Sequence, residues 1–279
     1  MTAIAVESNS KVDEVEAYLF EKRRDAAQKK KITKFVEALW RFSFYTAFTV
    51  IGGITLFTPS PVPWVMDSNQ YWIGWPFQQL YEPIKFYYFV ELGAYIHQIM
   101  WTEVHRSDAL EMLVHHFATI GLIVLSYLAN LTRVGAVILF RHDISDVFLE
   151  AAKCFNYAAK TGKRALCGTI SEVIFAAFAI VFFITRLVIY PSNVIYGAMF
   201  TAPAILSHLD KQYVGYYVLL ALLIILQALH TFWFYLIAKM VFQLVTGTMQ
   251  KDIRSDDEGE ADEVPEGTTK NASAKKKAT

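Results

Sequence analysis

Apolar residues along the chain gather into six long runs, near residues 37–57, 83–102, 110–130, 134–152, 168–190 and 213–239. Each run approaches or exceeds the roughly 20 residues that a helix needs to cross a bilayer. None shows the strict alternation that marks a strand. The pattern predicts an all-α integral membrane protein with six or seven transmembrane helices. The seventh depends on the stretch Pro191–Asp210, where Pro191, Pro203 and His208 speak against an uninterrupted span. A hairpin or a re-entrant piece is the other reading of that stretch.

The apolar region is flanked by two polar segments of opposite sign. Residues 1–34 are expected to be a cytosolic basic amphipathic segment. Ser10 with Asp13 resembles a capping box. Val12, Val15, Tyr18 and Leu19 share one face ahead of Lys22, Arg23, Arg24, Lys29, Lys30, Lys31 and Lys34. Such a helix can lie on a membrane surface or simply face water. Residues 35–247 carry the spans, and residues 248–279 form an acidic cytosolic tail whose composition predicts disorder. Ser255 sits in an acidic phosphoacceptor context, and Lys276-Lys277-Ala278-Thr279 has the form of a dilysine retrieval signal of the endoplasmic reticulum. No charged patch and short apolar run follow Met1, so a cleavable signal peptide is not expected.

Composition agrees: 54% of residues are hydrophobic and 19% charged, against about 25% charged in soluble domains. The formal net charge is zero. That balance argues against a basic nucleic-acid binder, and the apolar bulk argues against a disordered chain or a coiled coil. Thr58–Glu82 contains Pro59, Pro61 and Pro63 but no Lys or Arg, whereas the segments around His105–Arg106 and Lys153–Arg164 are basic. The positive-inside rule then places both termini in the cytosol and Thr58–Glu82 in the lumen. Cys154 and Cys167 fall on the cytosolic side and are too few for a disulfide framework.

Ionisable residues inside spans are costly and are functional candidates by default. The third run holds His115, His116, Thr119 and Ser126; the fourth holds His142, Asp143, Asp146, Glu150 and Lys153. Asp143, Asp146, Glu150 and Lys153 step by three, four and three, so they form one stripe on a helix. His142 precedes Asp146 by four and is expected to stack over it. A short turn near Asn130–Arg133 makes the two helices antiparallel, so the histidine pair and the His142–Asp146 pair come to similar depth. Four chemistries fit such a cluster: helix-to-helix glue, a single zinc site, a transport or proton path, and acyl transfer by a histidine oriented by a carboxylate. A membrane di-iron site needs more histidine boxes than the seven histidines here supply. The residues alone leave transport and acyl transfer level.

The run from Arg106 through Asp108, His115-His116 and Thr119, then Ser126-Tyr127 and Asn130 to Gly135, then His142-Asp143-Ile-Ser-Asp146 to Glu150 and Lys153, closely resembles the signature of ceramide synthases. Trp40-Arg41-Phe42, Trp75-Pro76-Phe77, Glu91, Thr185-Arg186-Leu187, Tyr190-Pro191, His230 and Trp233 look like the same family. The resemblance covers residues 34–245 and implies a TLC domain, a helical barrel around a long cavity. The family's extra N-terminal span and homeobox-like segment are not expected here. The resemblance further implies N-acylation of a sphingoid long-chain base by a fatty acyl-CoA, a substrate and not a cofactor. No metal or other cofactor is expected. His115 matches the acyl-acceptor position; His116 and His142 are candidate bases, with Asp143 and Asp146 orienting them. Arg106, Thr119, Ser126, Glu150 and Lys153 are expected to bind substrate, Arg106 and Lys153 at the CoA end. The expected setting is the endoplasmic reticulum membrane, with a homodimer or a small regulatory membrane subunit as partner. The rival reading is a non-enzymatic TLC-domain protein, translocon-associated or lipid-sensing.

Overall fold

Each of the six apolar runs lies mostly or wholly inside a helix of the protein's structure, a computed structural model that describes residues 2–58, 65, 67–100, 108–162, 165–205 and 214–247, without the side chains of 2–13, 162 and 214. Helix α1 is Thr2–Phe57, α2 Glu82–Met100, α3 Ala109–Leu128 and α4 Thr132–Gly162. Helix α5 runs over Ala165–Ile205 and α6 over Val214–Val245. Among the described residues there is no strand. Among the described residues, three helices, α3, α5 and the α6 stretch Gly215–Val245, are long and apolar enough to cross a membrane. The apolar parts of α1, α2 and α4 are diluted by polar and ionisable groups, which include Arg41, Glu91 and Asp143. Large apolar side chains stand exposed around the outside, Phe117, Leu128, Ile180 and Tyr235 among them. A surface of that kind suits lipid rather than water.

Two sequence expectations change. The helix does not begin at Ser10: α1 already includes Thr2 and continues without a break into the first apolar run. Pro191 does not end α5 either. From Phe183 to Ile195 and again over Gly197–Thr201 the bonding is of the wider i→i+5 type, and the rod finishes with Ala202–Ile205. Proline removes one N–H donor, and the widened turns carry the chain past it. Pro203 sits in the last turn. Arg106, Lys163, Arg164, His208 and the acidic tail lie outside the described residues.

Helix α4 is the central element. It packs along α1 on one side and α5 on another, and it also touches α2 and α3. Gly52 lets α1 approach closely, since a Cβ there would meet the Tyr87 hydroxyl at 2.9 Å and the Phe140 ring at 3.0 Å. Helix α6 lays one stripe inward, Leu219, Leu223, Leu226, His230, Trp233, Ile237 and Met240, all buried. Its alternating steps of four and three are those of a helix with one packed face.

The α3–α4 turn is pinned by the preceding loop. Asn130 takes a left-handed conformation (φ 55°). Its amide donates to the carbonyls of Pro76 and Gln78 at 2.7 and 2.9 Å. The Trp75 indole donates to the Ala129 carbonyl at 2.6 Å, and Arg133 donates to the Gln70 carbonyl at 3.1 Å. This clamp fixes the depth at which α3 and α4 present their polar residues to each other.

Candidate active site

Helix α3 places His116 inward, 3% exposed, with His115 beside it and half-buried. The His115 ring lies 5.6 Å from that of His116 and 6.3 Å from that of Tyr95, and it meets the Trp233 ring edge-on at 5.3 Å. Nδ1 of each of these histidines is buried and has no hydrogen-bond partner. The Trp233 indole donates to Asp108 Oδ2 at 3.3 Å, which ties α6 to the start of α3.

Helix α4 supplies the other half. His142 and Asp143 are buried, as is Glu150. His142 stands one turn before Asp146 on the helix but makes its hydrogen bonds elsewhere. Its Nδ1 lies 2.8 Å from the Ile138 carbonyl and its Nε2 lies 3.0 Å from Nε2 of His230. Asp146 faces Arg186 instead. One guanidinium nitrogen, Nη2, donates to Asp146 Oδ1 at 3.0 Å and to the His142 carbonyl at 3.1 Å. Asp143 accepts from the Tyr87 hydroxyl at 3.2 Å. Glu91, one turn further along α2, is 1% exposed, and its Oε1 is buried without a hydrogen-bond partner. Lys153 donates to Glu150 at 2.7 Å.

The two histidine groups meet through α6. His230 reaches His142 and Trp233 reaches His115, and these two residues lie three apart on one face. An apolar cleft begins at His142, Thr119, Tyr95 and Leu226. It runs between α3, α4 and α6 toward Leu131, Ala198, Tyr216 and Trp72. Along α4 the distance from His142 to Thr132, the neighbour of Leu131, is about 15 Å at 1.5 Å per residue. Thr119 and Ser126 both line the cleft. The Thr119 hydroxyl is buried without a partner, whereas Ser126 donates to the Ile123 carbonyl and shares a hydrogen bond with Tyr88. Among the described residues, no three His, Cys, Asp or Glu side chains are grouped so as to hold a metal ion.

Arg186, His230, Tyr87 and Glu91 complete the polar cluster, and the residue-by-residue reading gave none of them a role. The signal was present: a lone arginine, histidine or acid inside an apolar run is itself a site candidate. The described candidates His115, His116, Thr119, Ser126, His142, Asp143, Asp146, Glu150 and Lys153 all lie on α3 and α4, and Arg106 lies outside the described residues.

The family model of the TLC domain matches residues 34–239, most of the chain and all of this site. The chain belongs to the TLC domain family. Within it, the chain is 39% identical to ceramide synthase 5 of Homo sapiens over 247 residues, 88% of this chain and 59% of that protein. It is 38% identical to ceramide synthase 4 of Mus musculus over 240 residues, 85% of this chain and 58% of that protein. It is 36% identical to ceramide synthase LOH2 of Arabidopsis thaliana over 253 residues, 86% of this chain and 80% of that protein. The chain thus spans less than two thirds of the length of the two animal relatives. The plant relative, matched over four fifths of its length, places this TLC domain protein in the ceramide synthase family.

Proposed function

We propose that the protein is a ceramide synthase that transfers the acyl group of a fatty acyl-CoA to the amine of a sphingoid long-chain base, giving a ceramide or dihydroceramide and CoA. The observation that carries this reading is the position of the cleft: it reaches His142 of the histidine cluster and is lined almost wholly by apolar and aromatic side chains. An acyl chain can lie there while its carbonyl stays at the histidines. His115 is the acyl acceptor. Its imidazole nitrogen attacks the thioester carbon, the C–S bond breaks, and CoA leaves as a thiolate that takes up a proton. The amine then attacks the acyl-imidazole, gives a proton to a base from the histidine set that includes His116 and His142, and expels the His115 ring. Asp143 and Asp146 fix the ring orientations, Asp146 through its contact with Arg186. Thr119 and Ser126 lie along the acyl path. Arg106 and Lys153, the latter held by Glu150, attract the CoA phosphates.

The same reading gives six or seven spans arranged as a barrel, in the endoplasmic reticulum membrane, with both termini cytosolic. Charge asymmetry supports the orientation, and Lys276-Lys277 supports the compartment. No cofactor takes part, and a homodimer or a small regulatory membrane subunit is the expected assembly. The test is purified protein in lipid nanodiscs with sphinganine and a panel of acyl-CoAs, read by mass spectrometry. Ceramide forms with the wild type, persists in a chelator, and falls at least about a hundredfold in His115→Ala. No ceramide from any pair would leave the protein a non-enzymatic member of its family, and activity restored only by zinc would revive a metal site.

A further inference from the structure

The hydrogen bonds around His142 fix which ring nitrogens carry protons. The Ile138 carbonyl only accepts, so Nδ1 of His142, at 2.8 Å, must be the protonated nitrogen. In the neutral ring Nε2 is then a bare acceptor. At 3.0 Å it can only be served by an N–H on Nε2 of His230. The neutral His230 ring therefore has its lone pair on Nδ1. That atom is buried and has no partner. His142, one of the two bases expected from the signature beside His116, has both nitrogens committed in this arrangement, while His230, wholly buried, has one nitrogen left over.

His230 also stands at the right level. Leu226, one turn before it on α6, lines the cleft, and Trp233, three residues after it, packs on the His115 ring. The His230 ring meets Tyr190 edge-on at 5.1 Å. The charged and titratable groups facing it are His142 from α4, Arg186 and Tyr190 from α5, and His115 from α3. We propose that His230 is the general base that takes the proton of the attacking amine, with His142 holding its tautomer. As the amine nitrogen bonds to the acyl carbon, its N–H proton moves to His230 Nδ1, and the pair of electrons from that bond stays on the amide nitrogen. The bond from the acyl carbon to His115 breaks with its pair returning to the ring. The proton then passes through water to the freed His115 ring, replacing the ring proton that left with the CoA thiolate. His230 keeps its Nε2–H bond to His142 throughout, so no regrouping accompanies the transfer.

The inference rests on the amide-forming reaction proposed above, but not on the acyl-histidine route. His230→Gln keeps an N–H near the position of Nε2 and removes the Nδ1 lone pair. In nanodiscs, two signals are followed: CoA released from acyl-CoA alone, and ceramide formed once sphinganine is added. His230→Gln is expected to release CoA to the wild-type extent with an unchanged KM for acyl-CoA, while ceramide formation falls about 10²–10⁴-fold. Ceramide formation near the wild-type rate overturns the proposal, and so does loss of CoA release together with ceramide. If the wild type makes ceramide but releases no CoA without sphinganine, the acyl-histidine route fails and the ceramide rate of the variant alone decides. If the wild type makes no ceramide, the function itself fails. Should His230→Gln not fold, His142→Asn serves: it retains a donor for Ile138 and frees the His230 tautomer. The acid limb of its rate against pH should move, and an unchanged limb overturns the proposal.

Discussion

Arg186 and Asp146 lie 3.0 Å apart, with the arginine side chain 7% and the aspartate 23% exposed. Taking one partner away leaves the other charge with little water around it, a loss of about 3 kcal/mol or more. Arg186→Gln and Asp146→Asn should therefore each lower the melting temperature of the solubilised protein. The double variant should fall short of the sum, because the second change removes the stranded charge. Equal additive losses would mean that the two groups do not rely on each other. Asp146→Asn should also lower ceramide formation by a hundredfold or so. Gly135 makes a tighter demand, since a Cβ there would come within 1.8 Å of the Tyr88 hydroxyl, itself bonded to Ser126 and the Thr132 carbonyl. Gly135→Ala should cost both stability and activity, and adding Tyr88→Phe should restore part of each; no recovery would place the damage elsewhere. At this scale the sequence told which residues are chemical but not which touch. Spacing alone paired His142 with Asp146, whereas each found its partner on a helix more than 35 residues later, Arg186 for one and His230 for the other. One-dimensional spacing sees neighbours on a helix, and contacts across helices depend on rotation about each axis.

The helices themselves were legible where long apolar runs ended in turn-forming residues. The run placed at 110–130 is α3, Ala109–Leu128, and the one at 213–239 is α6, Val214–Val245, within a few residues at most ends. Helix α5 was misread because proline counts as a breaker. Its buried positions Arg186, Tyr190, Val194, Ala198 and Ala202 recur every four residues. That repeat is longer than the 3.6 residues of an α-turn and suits i→i+5 bonding. The wide turn thus brings Arg186 and Tyr190 to α4 and α6 on one face. Pro191→Ala restores a donor and lets the turn tighten. The melting temperature should hold or rise, while ceramide formation drops by up to about a hundredfold as Arg186 and Tyr190 shift against the histidines. Full activity in this variant would show that the wide turn has no part in placing them.

Over the whole molecule, α1 is a 56-residue rod of about 84 Å, far more than the roughly 30 Å of a hydrocarbon core. Its first half, with exposed Val15, Tyr18 and Leu19, must extend beyond the membrane. Trypsin added outside sealed microsomes should cut at the cluster from Lys22 to Lys34; protection of that cluster until detergent is added would invert the topology. The cleft has a consequence of its own for what such an enzyme could produce. Its two directions of error are unequal. An acyl tail that is too short leaves apolar wall uncovered and loses about 0.8 kcal/mol for each missing methylene, a graded penalty of about fourfold per carbon. A tail that is too long meets the buried indole of Trp72, and overfilling a packed space is abrupt rather than gradual. A histogram of products by carbon number should thus taper on the short side and stop like a cliff on the long side, and Trp72→Ala should move the cliff while leaving the slope where it was.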